Sequence, residues 1–125
     1  MKWMYSEILL EHFQNPKNVG ELPAPAITVE VMNPVCGDIL RLSVLFEGQV
    51  AREVRYKTRG CTASIAAGSA LTVLIAGRTR DELAGINAAD VEGVVGGLGN
   101  ESKHAAVLAV DAVRAIIKHA RSSAQ

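Results

Sequence analysis

The sequence predicts an α+β fold, an antiparallel three-stranded sheet packed against helices. Two observations carry that class. Apolar and polar residues alternate through residues 27–31, 39–46 and 50–59, the period of strands with one buried face. From Cys61 onward the period becomes helical. Strands first and helices after, without βαβ alternation, argue against a parallel doubly wound sheet and for a sheet covered by helices.

The 125 residues read as one domain, with a helix and connector over 1–26, the sheet over 27–60 and a helical layer over 61–121. Tyr5 to Gln14 is a short amphipathic helix, with Ile8, Leu9, His12 and Phe13 at helical spacing. "NPKNVGELPAPA" ends it with three prolines and a glycine. In "ITVEV", Ile27, Val29 and Val31 face inward. "ILRLSVLF" places Leu40, Leu42, Val44 and Phe46 on one face, with Leu45 the exception. "EGQ" turns the chain near Gly48, and "VAREVRYKTR" follows with Val50, Val54 and Tyr56 on one parity, interrupted by Arg52.

The first long helix carries Ala63, Ala66, Ala67, Ala70, Leu71, Leu74 and Ile75 and stops at Gly77. Two short helices follow, opened by Thr79 and Asn87 as caps. The last helix runs from about Glu101 to Arg121, with Asn100 or Ser102 as cap. Its core side is Ala109, Ala112, Val113, Ile116 and Ala120; its polar stripe is Asp111, Arg114, Lys118 and Arg121. "RSSAQ" reads as a frayed tail.

Thirteen basic and thirteen acidic side chains cancel, so no overall field draws nucleic acid or acidic membranes. Trp3, Tyr5, Phe13, Phe46 and Tyr56 are the only aromatics, which leaves alanine, valine and leucine to fill the core. No apolar run approaches the roughly 20 residues that span a bilayer. Glu7 and Glu11 interrupt the first apolar stretch, which excludes a secretory signal. Two cysteines 25 positions apart make no disulfide framework, so a cytoplasmic home with reduced thiols is expected.

Those cysteines carry the chemistry. In a hairpin centred at Gly48–Gln49, positions pair when their numbers sum to about 97, and Cys36 and Cys61 meet that sum. Asp38 lies two residues from Cys36, on the same face of an extended chain. Gly37 and Gly60 allow close backbone approach beside each cysteine. Cys61 sits at a helix N-terminus, where free N–H groups favour negative charge. Sulfurs with a carboxylate suit zinc or iron; the alternative is two cysteines buried as small hydrophobes. His104 falls in line with Asp111 and Lys118 on the polar stripe, and spacing alone does not bring it to the cysteines.

Other features are weaker. Arg52, Arg55, Lys57 and Arg59 read as a solvated strand face or a docking surface for an acidic partner. "GGLG" lacks the setting of a phosphate loop and reads as the approach to the last helix. His12 and His119 read as structural or exposed.

With these residues in hand, the chain resembles the iron–sulfur cluster assembly scaffold family of the IscU/NifU N-terminal type. Four collinear stretches carry the likeness: "YSEILLEHFQNPKNVGEL", "NPVCGDILRL", "YKTRGCTASIAAGSALTVLIAGRT" and "KHAAVLAVDAVRAII". The resemblance implies a carrier rather than an enzyme. Such a scaffold takes sulfur from a cysteine desulfurase, builds a transient 2Fe–2S cluster and passes it to apo recipient proteins. Zinc or ferrous iron occupies the same site. Cys36 and Cys61 match the first two cysteine ligands and are the sulfur-acceptor candidates. Asp38 matches the aspartate tied to cluster lability, and His104 the histidine beside the third cysteine.

Two departures stand out. Ala105 replaces that third cysteine, leaving Cys36, Asp38, Cys61 and His104 as the ligand set. "GLGNESK" replaces the Leu-Pro-Pro-Val-Lys element that recruits a DnaK-type chaperone, which argues against chaperone-driven transfer. A monomer or weak homo-oligomer is expected, in which two subunits could share one cluster. The rival expectations are a zinc-stabilised persulfide relay and a regulatory partner of the desulfurase.

Overall fold

The computed structural model describes residues 5–123. In chain order it contains α1 (Glu7–Gln14), β1 (Ile27–Met32), β2 (Ile39–Glu47), β3 (Val50–Arg59), α2 (Thr62–Ile75), α3 (Arg80–Ala84), α4 (Ala88–Val94), a 3-10 turn (Asn100–Ser102) and α5 (Lys103–Ser123). The three strands form one antiparallel sheet in the order β1-β2-β3. This is the α+β architecture that the change of period predicts.

The hairpin departs from simple alternation at one place. Ile39 pairs with Arg59 and Leu45 with Glu53, but Phe46 pairs with Ala51, so a bulge at Leu45/Phe46 leaves Arg52 as the extra residue. Parity flips there. Ala51 is fully buried and Val50 is 38% exposed, which corrects the expected inward Val50. Phe46 is only half-buried, with the Arg80 guanidinium 4.8 Å from its ring centroid. Beyond the bulge Leu40, Leu42, Val44, Val54 and Tyr56 point inward, each 2% exposed or less.

The inner face packs against Ala63, Ala67 and Leu71 of α2 and against Ala109, Val113 and Ile116 of α5. Small residues along α2 permit close approach on two sides. A carbon added at Gly68 would lie 2.5 Å from the Tyr56 ring, whose hydroxyl donates to the Ile65 carbonyl at 2.8 Å. Ala66 and Ala70 form a second cluster with Leu9 of α1 and Val95 after α4. Ser69 of α2 contacts the His12 ring at 2.7 Å and accepts from the Lys17 N–H at 2.8 Å, pinning α1 and the connector. His12 is thereby structural, while His119 is exposed.

Several boundaries differ from expectation. Ser6 caps α1, which begins at Glu7 rather than Tyr5, and Ile8 is 52% exposed. Thr79 and Asn87 cap α3 and α4 as predicted, each within a full capping box. Asn100 and Ser102 both lie in the 3-10 turn instead of one opening α5 as its cap. Residues Arg121 to Ser123 continue α5, since they follow the apolar stripe through Ile117 and Ala120; residues 124–125, with Trp3, lie outside the described residues. Among the described residues, no helix is long and apolar enough to cross a membrane.

Candidate metal centre

The chain crosses one end of the sheet three times. Cys36 and Asp38 lie in the loop leading into β2, Cys61 follows β3 as the residue before α2, and His104 is in the first turn of α5. One ligand atom each from Cys36, Asp38 and His104 lies within 4.8 Å of the others. The Cys61 sulfur is outside that trio but 3.6 Å from His104 Nε2. The convergence of Cys36 and Cys61 near the same groups agrees with the hairpin argument, one register step off because of the bulge.

The Cys36–Asp38 proximity arises differently from the extended spacing assumed above, which the structure corrects. The segment is a turn. Gly37 takes φ +78°, and its N–H donates to the Asn33 carbonyl at 2.8 Å. Asn33 Oδ1 accepts from the N–H groups of Val35 and Cys36, at 2.8 and 3.2 Å, and the Asn33 N–H donates to the Asp38 carbonyl at 2.9 Å. Asn33 therefore shapes the loop that presents Cys36, a role signalled only by the Asn-Pro pair.

Asp38 is the buried member, 8% exposed. Its Oδ2 accepts from the Ser64 hydroxyl at 2.6 Å and the Cys61 N–H at 3.3 Å, and lies 3.7 Å from His104 Nε2. Burial pushes the carboxyl up. The Ser64 hydroxyl, the Cys61 N–H and the two cysteine side chains pull it down, and the balance holds it below the ordinary carboxylate range. Gly60 makes room for this carboxylate: a carbon added there would lie 2.5 Å from Asp38 Cγ.

Both cysteines are exposed, which removes the reading of them as buried hydrophobes. His104 is half-buried, its side chain 30% exposed, and the Lys103–Glu92 pair at 2.8 Å ties the start of α5 to α4. Ala105 beside it is 1% exposed and packs in the core. Arg52, Lys57 and Arg59 are solvent-exposed; Arg52 pairs with Glu47, and Arg55 lies 3.7 Å from Glu53. Pairs this exposed contribute little to stability. Two soft sulfurs, a carboxylate and an imidazole at an open edge form a donor set that fits a tetrahedral zinc or iron ion.

The fold and site thus define a small α+β domain with an open thiol–carboxylate–imidazole centre. Residues 4–124 match the NifU-like N-terminal domain, and the chain belongs to that family. It is 36% identical over 121 residues to the iron-sulfur cluster assembly scaffold protein IscU 1 of Archaeoglobus fulgidus, spanning 96% of this chain and 79% of that one. Over 123 residues it is 34% identical to the mitochondrial iron sulfur cluster assembly protein 1 of Schizosaccharomyces pombe, spanning 95% of this chain and 64% of that one. Over 127 residues it is 38% identical to the nitrogen fixation protein NifU of a Nostoc species, spanning 95% of this chain but 42% of that one. The crystal structure of the N-terminal part of a NifU-like protein from Brucella abortus shares the fold. Its TM-score is 0.63 at 22% identity, over 94% of this chain and 83% of that one.

Proposed function

We propose that this chain is a carrier on which iron–sulfur clusters are assembled and from which they pass to apo recipient proteins. Cys36, Asp38, Cys61 and His104 hold the cargo, either a transient 2Fe–2S cluster or a zinc or ferrous ion. The observation that carries this reading is the meeting of three ligand atoms within 4.8 Å, with a second thiol 3.6 Å from the imidazole. The names of the relatives from Archaeoglobus fulgidus and Schizosaccharomyces pombe support it.

Sulfur arrives from a cysteine desulfurase in the cytoplasm. The thiolate of Cys61 or Cys36 attacks the outer sulfur of the desulfurase persulfide, and the desulfurase thiolate leaves. The persulfide moves without net oxidation or reduction. Exposure of both sulfurs supports this step.

A second reading, a zinc-stabilised persulfide relay, is favoured by Ala105, which leaves the centre with two thiols. Anaerobic incubation with ferrous iron, cysteine and a desulfurase separates the readings. Visible absorption of a 2Fe–2S species, lost in both Cys36→Ala and Cys61→Ala, is the expected result. Tight zinc and persulfide on Cys61 without a cluster would favour the relay. Desulfurase binding with neither cluster nor persulfide would leave only a regulatory partner.

A further inference from the structure

Ser64 has no part in the ligand set, yet it touches two of its members. It is 3% exposed and occupies the third helical position of α2. In α3 and α4 that position holds Glu82 or Asp90, whose carboxylate accepts the N–H of the capping residue. Serine is too short to reach back in that way. In α2 a carboxylate from another segment does so: Asp38 Oδ2 accepts the Cys61 N–H at 3.3 Å. Ser64 donates its hydroxyl to the same oxygen at 2.6 Å and accepts from the Cys61 thiol at 3.4 Å. One hydroxyl therefore bridges the sulfur of one ligand to the carboxylate of another.

We propose that Ser64 is the positioning residue of this centre, holding the Asp38 carboxylate against the α2 N-terminus and beside the Cys61 sulfur. The inference rests on the carrier reading of the site. With two donors on Oδ2, the Asp38 carboxylate is held in one orientation, 3.7 Å from His104 Nε2, and the Cys61 sulfur is set by the same bridge. Without Ser64 the carboxylate loses its shortest hydrogen bond and is free to turn out of that orientation.

The test is a double-mutant cycle on the intact chain, read by zinc affinity in chelator competition and by the ligand-field absorption of bound cobalt(II). Ser64→Ala is expected to weaken zinc about tenfold, the loss typical of a hydrogen-bond partner behind a ligand, and to change the cobalt spectrum. In an Asp38→Ala background the same change should shift affinity less than ~twofold, because the group it acts through is gone. Ser64→Thr, which keeps the hydroxyl, should restore the parent spectrum. Parent-like affinity and spectrum in Ser64→Ala would overturn the proposal. So would an undiminished loss in the Asp38→Ala background, which would mark a general structural effect. A parent protein that binds neither zinc nor cobalt would instead overturn the carrier reading, and this inference with it.

Discussion

Gly60→Ala tests whether the centre is held together by Asp38, because two effects pull stability in opposite directions. Gly60 is not in the left-handed region, so alanine can adopt its backbone, and loss of unfolded-chain freedom alone would stabilise by about 0.4–1 kcal/mol. Against this, the added carbon lies 2.5 Å from Asp38 Cγ, 2.7 Å from Oδ2 and 2.9 Å from Cβ. Because Cβ itself is too close, a change of rotamer does not clear the contact. The carboxylate must retreat by roughly 0.9 Å to reach ordinary van der Waals separation. A shift of that size takes the 2.6 Å bond from Ser64 to the limit of hydrogen bonding and breaks the 3.3 Å bond from Cys61. A hydrogen bond to a charged acceptor is worth about 1.5–3 kcal/mol, so the net effect is a loss of about 1–2 kcal/mol. Urea unfolding of the metal-free protein measures the sign, and zinc affinity should fall at the same time. An unfolding midpoint that rises while zinc affinity holds would refute the reasoning, since the entropy effect would then act alone.

Three further outcomes are expected. Ala105→Cys adds a sulfur beside His104 and should lengthen the lifetime of an assembled cluster several-fold, followed by its visible absorption; an unchanged lifetime would show that the buried 105 side chain serves the core alone. Gly68→Ala drives a carbon to 2.5 Å from the Tyr56 ring in a packed core and should cost about 1–3 kcal/mol in urea unfolding, whereas a neutral result would mean that the ring has room to slide. Burial pushes the Tyr56 phenol up to about 12, so the folded state favours the protonated form. Stability should be fully present below pH ~10, where the unfolded chain also keeps its proton, and be lost as pH rises towards 12. Tyr56→Phe should flatten that alkaline loss in denaturation curves taken across the window; a slope equal to the parent's would refute the assignment.

Much of this was legible in the residues because burial imposes a period. Leu40, Leu42 and Val44 could be assigned to one face since a strand repeats every two residues, and Ala63, Ala67 and Leu71 to another since a helix repeats every 3.6. Cys36 and Cys61 were legible through the same register, which propagates from a turn with little error. The bulge was not, because Arg52 breaks the alternation without saying whether the chain skips a residue or merely exposes one. His104 was beyond spacing altogether: 43 residues separate it from Cys61, and only the packing of α5 on α2 and the sheet closes that gap.

Ser64 shows why a centre such as this is harder to read than its ligands. Ligand types announce themselves, since few jobs other than metal or sulfur chemistry gather thiols, a carboxylate and an imidazole at an open edge. The residue that orients them is an ordinary helix serine, and nothing in "CTAS" distinguishes it from Thr62 two residues before it. Its role follows from a missing part: α2 lacks the acidic residue that closes the caps of α3 and α4, so the helix takes its carboxylate from the ligand loop. Helix capping and ligand orientation are then one interaction, and a change that frees Asp38 from Ser64 and Cys61 loosens both the end of α2 and the centre. That coupling is why Gly60→Ala is expected to lower stability and zinc affinity together.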